Sequence, residues 1–363
     1  MSMPGPVRKT TNANIAGQSF SRGVTVRRQS RESDYRSRFL ASVALLWLSL
    51  SALPATAGEW FEETRPIMGT RIHVELYHED ASEAHDAIAA VLAEMERINQ
   101  SMSPYLETSE LSRLNRDAAK GFVEVSPELY QLLQRSVEFS RVTNGAFDVT
   151  FASAGRYYDY RTGVRPDAHT LEQALPAIDY HHIEFAPGYR VRYTHPGVYI
   201  DLGGIAKGHA VDRCIAILMA RGITQAMVAA GGDSRIIGDR RGKPWTVGVK
   251  DPRKPDAMAV LLPLTDTAVS TSGDYERYFE KDGVRYHHIL DPTTGDSARE
   301  LRSVTILGPE ATLTDALSTS VFVLGRDKGL ALINEHFPGV DAIIIDGAGQ
   351  LHYSAGLAPL AGG

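Results

Sequence analysis

Asp201-Leu-Gly-Gly-Ile-Ala-Lys-Gly-His-Ala-Val-Asp212 is the stretch on which the reading of this chain turns. Its acid closes a β-branched run, Val198-Tyr-Ile200, and an apolar helical pattern follows at Ala206, Ala210, Val211, Ile215 and Leu218. Gly203 and Gly204 free the backbone for conformations closed to residues with a Cβ. The helix start offers unpaired N–H groups and the positive end of a dipole. Lys207 falls in the first helical turn, where a cation is locally disfavoured, which directs its charge to something other than the helix. Together these features suit a bound polyphosphate. The spacing is not that of a dinucleotide-binding GxGxxG, and no Ser or Thr follows the lysine as in a P-loop. Taken alone, the run also reads as a plain strand–turn–helix corner.

Outside this run, charge is unevenly spread. The chain has 363 residues and a net charge of −6, with 23% charged and 43% hydrophobic residues, ordinary for a globular protein. Residues 1–57 hold eight Lys/Arg against Glu32 and Asp34, which leaves the remainder near −12. Nucleic-acid binding needs a basic surface and is not expected. An apolar segment, residues 39–53, follows this basic region, and Ala55-Thr-Ala57 reads as an A-x-A cleavage site. The segment is short for a membrane span, which needs roughly 20 apolar residues. Residues 1–57 are therefore read as an export signal to the periplasm, with an uncleaved membrane anchor as the alternative, and residues 58–363 as the functional domain. Cys214 is the only cysteine and falls on the apolar face of the helix after the glycine turn, as a small core residue would.

Residues 70–77 alternate as a strand and residues 82–102 carry apolar side chains at helical spacing. Ser126-Pro127 starts a second helix and Asn144-Gly145 stops it. Residues 156–182 look like a loop-dominated connection. The second half predicts strands at 226–230, 245–249, 268–271, 284–290, 304–307 and 342–345, and helices at about 204–221, 315–323 and 327–336. Short turns such as Asp282-Gly283 favour antiparallel pairing. The expected class is α+β, with largely antiparallel sheets and helices packed on one face.

Several segments carry chemistry. Asp315 and Thr319 stand four apart on one helix, with Thr314 as its expected cap. A carboxylate and a hydroxyl one turn apart suit a hard cation such as Mg²⁺, although an acid in a first turn also simply complements the dipole. Asn144-Gly-Ala-Phe-Asp-Val-Thr150 reads as a turn, or as backbone amides and Asp148 presented to a ring with hydrogen-bonding edges. His287 and His288 are neighbours on a predicted strand, so their rings point to opposite faces and cannot share one metal.

These segments, in this order, resemble the ApbE family of FAD:protein FMN transferases. The matching pieces are Met68-Gly-Thr70, Ser103-Pro-Tyr105 with Ser109-Glu110 and Leu114-Asn115, Gly145-Ala-Phe-Asp148, the run from Asp201 to Asp212, Ala230-Gly-Gly-Asp233, the stretch from Ser270 to Tyr275, His288-Ile-Leu-Asp-Pro292 with Gly295, and Asp315-Ala-Leu-Ser-Thr319. The resemblance implies a T-fold-like architecture with two lobes around a flavin. It implies Mg²⁺-dependent transfer of FMN from FAD, through its phosphate, to a threonine of a target protein, with release of AMP. The acceptor would carry an Asp/Ser-Gly-x-Thr-x-Thr motif, in a membrane redox complex subunit or a secreted flavoprotein. By position, Met68, Tyr105, Ala146, Phe147, Asp148, Asp201, Lys207 and Leu290 would line the FAD site. The Gly204 carbonyl, Asp315 and Thr319 would hold Mg²⁺, with Ser318 nearby, and His288 matches a histidine implicated in activity. His288 is the natural general base by its unperturbed pKa near 6.5, with Asp315 as the other candidate. The sequence departs from the family pattern at His209, where tyrosine is usual, and over residues 151–160. An FAD pyrophosphatase yielding FMN and AMP, and a non-catalytic flavin-binding protein, are the competing readings.

Overall fold

The computed structural model describes residues 58–254 and 256–357. The export-signal and cleavage-site readings fall on residues 1–57, outside the described residues. The described residues form one compact unit. Its frame is an eight-stranded sheet: β1 (Glu59–Ile67), β2 (Thr70–His78), β3 (Ala226–Ala230), β4 (Asp233–Ile237), β5 (Ala268–Gly273), β6 (Leu301–Gly308), β7 (Asp341–Asp346) and β8 (Leu351–Tyr353). Spatial order follows chain order, and each neighbouring pair is antiparallel.

Five helices carry the rest of the frame: α1 (Ala81–Met102), α2 (Pro127–Val142), α3 (Ala206–Ala220), α4 (Ala311–Leu324) and α5 (Arg326–His336). Ile72, Val74 and Leu76 alternate on β2 and join α1, α3 and α4 in the main core. Cys214 is fully buried there, as expected. Val269, Leu307 and Ile343 point to the opposite face, where a hairpin of Trp245–Lys250 and Met258–Leu264 covers them. A smaller core of Ala154, Tyr158, Leu171, Ala174 and Leu290 gathers the segments after α2 and between β5 and β6. The two expected lobes are thus regions of one unit.

The local signals act as expected in several places. The Ser126 hydroxyl accepts the Leu129 N–H at the start of α2, and Asn144 and Gly145 end it with φ of 51° and 83°. Asp282-Gly283 forms a two-residue turn with both φ positive.

Four expectations are corrected. No strand forms over residues 198–200. Asn115 takes both backbone groups of Ile200 at 2.8 Å, and Ser153 Oγ accepts the Tyr199 N–H, so side chains replace a strand partner. Thr314 is no cap, since α4 begins at Ala311. Asp212 of α3 instead accepts the N–H groups of Ala311 and Thr312 at 2.9 and 2.8 Å. The strand expected at 284–290 breaks after His287, where His288 and Ile289 bend before Leu290–Asp291. The connection 156–182 holds a helix, Ala168–Ala174, capped by Asp167.

Candidate active site

The glycine run and α4 meet where α3 crosses α4. Gly208 makes the crossing close: a Cβ there would stand 2.2 Å from the Ala311 carbonyl and 2.8 Å from Asp315 Cβ. The Gly208 N–H donates to Asp315 Oδ2 at 2.9 Å instead of continuing the helix back to Gly204. The Gly204 carbonyl is thereby left free of a helical partner among the described residues. A Cβ on Gly204 would lie 3.2 Å from Thr319 Oγ1 and 3.3 Å from the Phe147 ring. Gly204, Phe147 and Thr319 therefore converge, one turn of α4 from Asp315.

Lys207 reaches into the same crossing. Its Nζ contacts Asp233 Oδ2 and lies 3.4 Å from Asp315 Oδ1. Asp233 and Asp315 are each 2% exposed. Burial, and then the neighbouring Asp233, push the Asp315 carboxyl up to about 7. Two buried carboxylates against one ammonium leave a surplus of negative charge when both are ionised. Ser272 of β5 adds a hydroxyl 2.8 Å from Ser318 Oγ and 3.5 Å from Thr319 Oγ1. A free carbonyl, a carboxylate and hydroxyls in an anionic setting fit a hard divalent cation by donor chemistry and by charge. Another donor group, Glu62, His73 and Glu75, lies on the β1–β2 pair. Arg240 holds Glu75 at 2.6 Å and Thr64 holds His73 at 2.9 Å, so those donors already have partners.

His287 and His288 part company because the strand ends at His287 and His288 lies in the bend that follows, not through strand alternation. The buried His287 ring holds Ala298 O through Nε2 at 2.6 Å and accepts the Ile289 N–H on Nδ1. It serves the fold. His288 Nδ1 is buried with no hydrogen-bond partner. Burial, with Arg277, His287 and Lys207 nearby, lowers the His288 pKa to about 3, so the ring is neutral at physiological pH. The expectation of a base near 6.5 is thus corrected by desolvation and cationic neighbours, while Nδ1 stays without a partner.

The remaining expected residues fall in distinct places. Met68 has φ of 56° in the two-residue turn joining β1 and β2. A bulky side chain at positive φ is strained, and such strain concentrates at functional sites. Tyr105 is 77% exposed, near enough to Asp201, Arg277, Tyr199 and Arg161 to feel their charges. Asp201 accepts the Gly203 N–H at 2.7 Å, and its burial raises its pKa. Asp148 has both oxygens occupied, by Thr150 at 2.6 and 2.8 Å and by the Tyr180 N–H at 2.9 Å. It fixes the loop that carries Ala146 and Phe147 and has little left to offer a ligand. The Leu290 side chain is buried in the smaller core, within 3.5 Å of a Cβ built on Gly155. His209 pairs with Glu128 in a separate network with Arg97 and Arg213, so that departure leaves the site untouched.

Sequence reasoning gave no role to Asp233, Ser272 or Arg277. Asp233 was legible only as the acid ending Ala230-Gly-Gly-Asp233. Nothing in the spacing singled out Arg277.

Buried carboxylates, a lysine, hydroxyls and a free backbone carbonyl thus meet at the glycine turn. The profile of the ApbE family matches residues 68–344, and the chain belongs to that family. The FAD:protein FMN transferase of Treponema pallidum (strain Nichols) is 35% identical over 314 residues, covering 80% of this chain and 86% of that one. The FAD:protein FMN transferase of Vibrio cholerae serotype O1 is 32% identical over 310 residues, covering 82% and 90%. Among solved structures, the apbe protein of Thermotoga maritima superposes with a TM-score of 0.76 at 38% identity, covering 83% of this chain and 99% of that one. The flavin transferase ApbE from Vibrio cholerae superposes with 0.74 at 28% identity, with the same coverage.

Proposed function

We propose that this chain transfers FMN from FAD to a threonine hydroxyl of a target protein and releases AMP. The observation that carries the reading is the Lys207–Asp233–Asp315 cluster beside the free Gly204 carbonyl and Thr319. A site that only stored a flavin ring would need no such anionic pocket. The relatives' names support transfer of FMN from FAD to a protein.

The chemistry asks for positioning and charge neutralisation more than for covalent catalysis. Asp315, Thr319 and the Gly204 carbonyl would hold Mg²⁺, which supplies neutralisation of the diphosphate oxygens when bound. Lys207, held by Asp233, orients the cluster. His288 Nδ1 accepts the proton of the attacking threonine hydroxyl. The threonine oxygen bonds to the FMN-side phosphorus, the bond from that phosphorus to the bridging oxygen breaks, and AMP leaves carrying the bridging oxygen. The His288 pKa is low in the free site. Burial is the first cause of that low value; an anionic diphosphate would offset only the part due to Arg277 and Lys207.

Incubation with FAD, Mg²⁺ and an acceptor carrying an Asp/Ser-Gly-x-Thr-x-Thr segment should yield a covalent FMN adduct on threonine by mass spectrometry. FMN and AMP without an adduct would make the chain an FAD pyrophosphatase instead.

Export to the periplasm follows from the basic and apolar segments of residues 1–57. Among the described residues, no helix is long and apolar enough to cross a membrane. N-terminal sequencing of the exported protein should start at Gly58. Retention of residues 1–57 would replace the cleaved signal with an anchor.

A further inference from the structure

Lys207 leaves a charge problem. Its ammonium is already matched by Asp233 and Asp315. A diphosphate entering this pocket meets a cluster that is itself anionic. Mg²⁺ bound there would neutralise the oxygens it touches, and a cation outside the cluster is suited to the oxygens that remain.

Arg277 is a cation of that kind. It is exposed and, among the described residues, has no carboxylate within salt-bridge distance. Its Nη2 lies 3.7 Å from where a Cβ on Gly69 would stand, so the guanidinium rests against the strained Met68-Gly69 turn. Its carbonyl accepts the His288 N–H at 3.1 Å, which ties it to the proposed base. Its charge acts on Asp201, Tyr105 and His288, which places it among residues expected to line the flavin site. The segment carrying it is anchored at Asp274. Arg253 grips that carboxylate with two bonds, at 2.8 and 2.6 Å, and Arg285 lies 3.5 Å away.

We propose that Arg277, a cation outside the Lys207–Asp233–Asp315 cluster, binds the diphosphate of FAD. A guanidinium presents a planar fork of donors that matches two phosphate oxygens, which a lysine cannot reproduce. The proposal rests on the flavin-transfer reading for its ligand, and its test separates the two.

The test compares FAD with riboflavin, which shares the ring but lacks phosphate, by quenching of flavin fluorescence at fixed ionic strength. Arg277→Ala should weaken FAD binding by ~10- to 100-fold, the scale of a charged hydrogen-bonded contact. Riboflavin affinity should stay within about twofold, because no charged contact is lost. Arg277→Lys should restore only part of the loss. Equal loss for both ligands would make Arg277 a support for the ring or the fold, and no loss for either would remove it from the site. Should the FAD-selective loss appear while no adduct forms on any acceptor, the diphosphate contact stands and the transfer reading falls.

Discussion

Asp315→Ala is expected to abolish Mg²⁺-dependent turnover, with a loss of roughly several kcal/mol of transition-state stabilisation, or about a thousandfold or more in rate. Two effects combine in this variant. The cation loses its one charged protein ligand in the proposed set. Lys207 keeps Asp233, while the Gly208 N–H loses its acceptor at the α3–α4 crossing. An unpaired buried N–H costs about 1–3 kcal/mol, so part of the damage in the alanine variant is structural. Asp315→Asn separates the two, because the amide oxygen can still accept from Gly208 while the charge is gone. Both variants should lose activity, and the asparagine variant should melt closer to the wild type. A folded Asn variant with near-normal turnover would remove Asp315 from the metal site.

His288→Asn should slow FMN transfer by ~10²–10⁴, the usual scale for loss of a general base. FAD affinity should change little, because the loss falls on the transition state. His287 gives the contrasting result. Its ring nitrogens hold Ala298 and Ile289, and the ring packs edge-on against Phe322 at 5.4 Å. His287→Asn should therefore lower thermal stability, by about 1–3 kcal/mol, more than it lowers the rate of the folded fraction. A crippled His287 variant of normal stability, or a His288 variant losing affinity in step with rate, would end the general-base assignment.

How far the sequence reached depends on the range of the interaction that fixes each element. β2, α1 and α2 were readable because their periodicity and caps are local. β1 was not: Glu59-Trp-Phe-Glu-Glu-Thr-Arg-Pro-Ile67 shows no clean alternation, and its strand is set by nine residue pairs with β2. The true start of α4 was hidden because its cap comes from Asp212, about a hundred residues earlier in the chain. Asp315 and Thr319 were legible from their spacing on one helix. That Lys207 would be matched by Asp233 was not, because β4 brings that acid in from a segment whose role in sequence is only a turn. Asp148 shows the opposite limit. Its place in a matching motif suggested a ligand contact, whereas its oxygens are used by Thr150 and Tyr180.

The central claim is that this site joins FMN to a protein rather than to water. The most direct measurement is the ratio of AMP released to flavin bound covalently, with an acceptor segment and with its Thr→Ala counterpart. About one bound FMN per AMP is expected on the threonine acceptor, and little AMP with the alanine one, since a positioned hydroxyl and not water is then the nucleophile on the FMN-side phosphorus. AMP formed equally fast with both acceptors, accompanied by free FMN and no adduct, would contradict it.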